Sequence, residues 1–99
     1  MKPRLEILPQ ALGDIVDARH WYEDQRPGLG IEFERTIEAA LVGIERFPKL
    51  YPQVVGDIWR CFLGRFPYGI FYEVPSEDSI LIVAVFHASR DPGSWAERF

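Results

Sequence analysis

The side chains able to move protons or hold negative charge gather near the ends of β-like stretches: Arg60 and Arg65, Tyr68 and Tyr72, and the run His87-Ala88-Ser89-Arg90-Asp91. A histidine titrating at about 6.5 beside guanidinium groups suits acid/base work on a phosphodiester, with arginine stabilising the charge that develops. The same groups suit an interaction surface, because arginine binds carboxylates through strong, directional hydrogen bonds. A third reading is architectural, with His87 capping a strand and Arg90 paired with Asp91 or Glu97. Arg60 alternates with Ile58 and Phe62, so it shares a face with apolar residues and either pairs with a helix acid or touches a ligand. His20, with Asp17 and Asp24 at helical spacings, reads as a solvated helix face rather than a metal site. Phosphate loops, metalloprotease motifs, dinucleotide fingerprints and nucleophile elbows are absent, and no cofactor is expected.

These groups must be positioned by a small domain. The chain has 99 residues, 47% hydrophobic and 26% charged, which predicts a single domain over 1–99. A domain this small buries little more than about 60% of its unfolded surface, so the 14% aromatic content supplies much of the core. The lone cysteine, Cys61, excludes an intrachain disulfide and a cysteine zinc site and fits a reducing, cytoplasmic setting. Apolar runs such as 80–86 fall far short of the roughly 18 residues that span a bilayer, so neither a membrane segment nor a signal peptide is expected. Net charge is −4, from 11 basic and 15 acidic residues, which argues against a generic nucleic-acid binder. The acids crowd into helical segments, as at Glu32, Glu34, Glu38 and Glu45, whereas between Ile58 and Tyr72 the only charges are Arg60 and Arg65. A locally positive strand surface on an acidic domain follows.

Periodicity supplies the elements. Arg4–Leu8 alternates and stops at Pro9, as a short strand does. Leu12, Ile15, Ala18 and Tyr22, with Ala11 beside them, recur at helical spacing between Gln10 and Asp24, and Arg26-Pro27-Gly28 signals a turn. Phe33, Ile37, Ala40, Leu41, Ile44 and Phe47 make the stripe of a second helix from about Gly30 to Pro48, forming a hairpin with the first. After Lys49–Gly56 the period falls to two through Ile58–Leu63, Tyr68–Val74 and Ser79–His87, three antiparallel strands in a meander. Ile80–Phe86 is apolar on both faces, as in a central strand with helices on one side and something else on the other. Asp91-Pro92 starts a short helix through Trp95 to Phe99, with Asp91 as its cap. The order predicts an α+β fold in which a helical hairpin covers a small, largely antiparallel sheet.

Several pieces, in order and spacing, resemble one family: Ala11-Leu12-Gly13-Asp14-Ile15, Trp21-Tyr22-Glu23, Pro27-Gly28-Leu29-Gly30 with Phe33, Phe47-Pro48, Arg65-Phe66-Pro67-Tyr68 with Tyr72, and His87-Ala88-Ser89-Arg90-Asp91-Pro92. Over nearly the whole chain the sequence is similar to the RelE/ParE superfamily of bacterial type II toxins, most closely its ParE-like branch. The resemblance implies a βααβββ fold, a neutralising antitoxin, assembly into a heterotetramer or larger complex, and a target in DNA topology or translation.

RelE-type relatives cleave messenger RNA on the ribosome, and the resemblance places their basic strand residues at Arg60, Phe62 and Gly69, of which only the first is basic. ParE-like relatives poison DNA gyrase, a protein target that demands no basic toxin. The resemblance therefore leans toward gyrase inhibition, with Arg60, Arg65, Tyr68, His87, Arg90, Trp95 and Arg98 as contacts for target or antitoxin. The alternatives are a ribosome-dependent ribonuclease built on His87 and Arg90 with Arg60, Arg65 and Tyr68, or a non-toxic binding module of the same fold.

Overall fold

The computed structural model describes residues 3–90, 92–95 and 97–99. A strand β1 (Arg4–Ile7) leads into helix α1 (Pro9–Gln25), with Pro9 at the first turn, where its missing N–H costs nothing. Ala11, Ile15, Ala18 and Tyr22 form the buried stripe of α1, while Leu12 points outward. The turn to α2 (Leu29–Arg46) depends on Gly28, whose φ of +91° falls in the left-handed region. Glu23 closes the turn by accepting the backbone N–H groups of Gly28 and Gly30, each at 3.0 Å. Those hydrogen bonds hold its carboxyl below the usual range. A Cβ on Gly30 would lie 2.8 Å from the Arg19 carbonyl oxygen, so glycine permits the close helix crossing.

Four further strands follow: β2 (Gln53–Val55), β3 (Ile58–Phe62), β4 (Tyr68–Ser76) and β5 (Ser79–His87), then a one-turn helix α3 (Pro92–Trp95). The meander thus carries one strand more than its alternation predicts. β2 is three residues long and lies between Pro52 and Gly56, too short to leave a period. The closing helix stops at Trp95 rather than reaching Phe99, and its expected cap, Asp91, lies outside the described residues.

The sheet order is β1-β5-β4-β3-β2, antiparallel except for β1, which runs parallel to β5. Helices α1 and α2 pack on one face. β5 has a one-residue bulge at Val83: Phe71 faces Ala84 and Tyr72 faces Ile82. The extra residue changes the phase of the strand, so Ile80, Ile82 and Val85 face the helices while Val83, Ala84 and Phe86 face outward. The expectation that β5 is central and apolar on both sides holds. The cover on its outer side is this chain's own C-terminal segment, with Trp95 against Phe71 at 4.8 Å and Phe99 against Phe71 and Phe86 at 5.7 and 6.1 Å between ring centroids.

Candidate functional site

The site grows from a mismatch in strand length. β1 pairs with β5 only as far as Ile82, so Val83–His87 has no strand beside it on that edge. Backbone groups there must still find partners. Asp14 of α1 accepts the Val85 N–H at 2.9 Å, and Arg98 donates to the Val83 carbonyl at 3.5 Å. The two side chains also bind each other through a two-pronged ion pair, at 2.8 and 3.1 Å, in which both are largely buried. Beside this pair runs a groove of about 330 Å³ between α1 and the end of β5, lined by Asp17, Trp21, Tyr68, His87 and Arg90.

His87 sits opposite Tyr68 in the register, and their rings meet edge to face at 5.2 Å. The Ser89 N–H donates to His87 Nδ1 at 3.0 Å, and Ser89 Oγ lies 2.7 Å from the same nitrogen. An N–H pointing at Nδ1 makes that atom the acceptor, so the neutral ring carries its proton on Nε2. The only lone pair of neutral His87 is therefore engaged by Ser89, and the ring offers a donor. Burial raises the Tyr68 hydroxyl above its ordinary pKa, so it stays protonated at neutral pH.

The arginines do not converge on His87 as a group. Arg60 stands opposite Phe71, on the outer face, and the sheet separates it from the helix acids with which pairing is expected. Its chain lies across Gly69, where a Cβ would be only 3.0 Å from Arg60 Cδ, and its guanidinium is 6.0 Å from the Phe62 ring. Arg60 Nε is buried there with no hydrogen-bond partner among the described residues. Arg65 follows the turn at Gly64 and pairs with Glu32 of α2 at 2.8 Å. Arg90 stacks on Phe86 at 4.2 Å and donates to Ser94 at 3.3 Å, and Arg98 approaches the same ring at 5.0 Å. The expected interaction surface at Trp95 and Arg98 is turned inward, since Trp95 is buried on Phe71 and Arg98 is bound to Asp14. The fold thus brings His87, Tyr68 and Arg90 to one groove and leaves Arg60 on the opposite face and Arg65 beside α2.

Residue spacing gives no warning of Asp14. An acid in mid-helix reads as solvent-facing, and its partner is 84 positions away. Trp21, 56% exposed at the groove, carries a signal in retrospect, being a large aromatic off the buried stripe of α1. No group of three histidine, cysteine or acidic side chains that could hold a metal occurs among the described residues.

The model of the family described as the ParE toxin of the type II toxin-antitoxin system, parDE, matches residues 5–92. The chain belongs to the ParE toxin family. A solved structure described as the chromosomal ParDE toxin-antitoxin system from P. aeruginosa shares its fold, with a TM-score of 0.66 and 13% identity over 88% of this chain and 97% of that one. No curated protein matches the sequence. As a ParE-family chain it has the role of a type II toxin, and the ParE-like fold anticipated from its motifs is the one observed. The groove at His87 and Arg90 lies within the ParE match, whereas Arg98, which closes the β5 edge, lies beyond its last matched residue.

Proposed function

We propose that this ParE-family toxin arrests bacterial growth by binding DNA gyrase in the cytoplasm, without covalent chemistry, and that a cognate antitoxin neutralises it. One observation supports this over messenger cleavage: among the described residues no free general base backed by strand cations is assembled. The lone pair of neutral His87 is engaged by Ser89, and Arg60 lies across the sheet from the groove. Phosphodiester cleavage asks for a free base to activate the attacking hydroxyl beside groups that take up negative charge, together with a surface able to dock on RNA. A −4 chain with Phe62 and Gly69 beside Arg60 is poorly suited to either. A protein target asks instead for exposed anchors, and Arg90 stacked on Phe86, with Trp21 and Tyr68 beside it, supplies them.

The test is induction of the gene in a bacterial host with plasmid topology followed over time. Growth arrest with relaxed or cleaved plasmid, and intact messenger on translating ribosomes, is the expected outcome. Normal growth at high expression would favour a non-toxic binding module, and messenger cleavage with normal supercoiling would move the target to the ribosome.

A further inference from the structure

The half-covered edge of β5 carries an inference that rests on the antitoxin reading. Because N–H and C=O of one strand residue point the same way, the edge that presents the Val83 carbonyl and the Val85 N–H also presents the Val85 carbonyl and the His87 N–H. This is the hydrogen-bonding pattern of a strand awaiting a neighbour. Two of its groups are held by side chains, Asp14 and Arg98, which can be exchanged without disturbing the sheet.

We propose that Val83–His87 is a docking edge for an extended segment of the antitoxin and that the Asp14–Arg98 ion pair is the latch that closes it. The lining specifies the segment. Asp14, Asp17 and Trp21 follow one another along α1 beside the edge, and Asp17 has no ion partner among the described residues. When Arg98 leaves, two carboxylates face the incoming chain, so the segment carries a basic side chain there. Four helical residues rise about 6 Å and two strand residues span roughly 6.7 Å. A side chain two positions from the basic one therefore comes level with Trp21 and Tyr68, and it is apolar. The basic group replaces Arg98 on Asp14 while the segment's backbone takes over Val83 and Val85.

The probe is a blocked heptapeptide, Thr-Thr-Arg-Thr-Ile-Thr-Thr, titrated into the full chain and followed by amide resonances, with the same peptide carrying Glu in place of Arg as its partner measurement. Resonance changes centred on Val83, Val85 and His87 are expected, with binding to Arg98→Ala roughly ten-fold tighter than to the unaltered chain because the open state no longer competes with the latch. Arg98→Lys should fall between them, and Asp14→Ala, which also opens the edge but leaves Asp17, should reduce the preference for the Arg peptide over the Glu peptide. Equal binding to Arg98→Ala and the unaltered chain, equal binding of the two peptides to the unaltered chain, or resonance changes away from β5 would overturn the proposal. Self-association of Arg98→Ala in place of peptide binding would overturn it in favour of a second copy. A chain that docks the Arg peptide as described but arrests no growth would keep the edge and discard the antitoxin as its occupant, which separates failure of this inference from failure of the toxin reading.

Discussion

On the helix side of the sheet, Phe33 of α2 lies fully buried among Tyr22, Phe66 and Tyr68, with ring centroids 5.2–5.3 Å away. On the outer side, Phe86 is flanked by the guanidiniums of Arg90 and Arg98, and Phe62 stays 49% exposed beside Arg60. One face is sealed by two long helices, the other by a single helical turn and the last few residues. The larger buried cluster therefore lies on the helix side, while Trp21 at the β5 groove and Phe62 on the outer face stay about half exposed.

The widest separation between the two faces should come from truncating one aromatic on each. Phe33→Ala empties the middle of the aromatic cluster and should cost about 3–5 kcal/mol, seen as a large fall in thermal midpoint or loss of soluble protein. Phe62→Ala, on the open face, should cost under about 1 kcal/mol in the same melt. Comparable losses would mean that Phe62 is part of a core as well.

Arg90→Ala should show the reverse pattern. Removing an interfacial arginine desolvated against a carboxylate costs roughly 2–5 kcal/mol, so target affinity should drop tens-fold or more while the melting curve barely moves. An unaltered inhibition titration would remove Arg90 from the binding surface.

A smaller effect comes from Tyr72, whose buried hydroxyl donates to the Pro48 carbonyl at 2.6 Å. Tyr72→Phe should cost about 1 kcal/mol at neutral pH. Burial raises the Tyr72 pKa far above its ordinary 10, and those of Tyr22 and Tyr68 in the same direction. Above pH 10 the unfolded chain can release protons that the folded chain retains, so stability is fully present below that pH and falls as pH rises past it. Denaturant melts between neutral pH and pH 11 should show this decline, and Tyr72→Phe should make it shallower; a decline equally steep in the variant would assign it to other groups.

The smallest effect is expected at His87. A binding inhibitor needs no proton shuttle, so His87→Ala should change toxicity by no more than a few-fold, whereas an enzyme losing its general acid or base drops about 10²–10⁴-fold.

How far the residues announced this arrangement depends on the range of the interactions involved. Helix stripes such as Phe33–Ile37–Ile44 and the apolar β5 were legible because each is set by neighbours within a turn or a pleat. Tyr68 beside His87 was within reach, since both close the ends of adjacent strands. The Val83 bulge was not legible: it inserts one residue into an otherwise regular alternation and decides that Ala84 and Phe86 face away from the helices. Nor was the Asp14–Arg98 pair, which joins the first helix to the penultimate residue and exists because β1 is too short to cover β5.

The proposed mode of action needs binding through the Arg90 surface and no catalysis by His87. It is tested most directly by assaying the purified toxin, His87→Ala and Arg90→Ala in parallel for inhibition of gyrase supercoiling and for messenger cleavage on translating ribosomes. Supercoiling should be inhibited by the unaltered toxin and His87→Ala alike and less by Arg90→Ala, with no cleavage by any of the three. Ribosome-dependent cleavage abolished by His87→Ala, with supercoiling untouched, would contradict that mode of action.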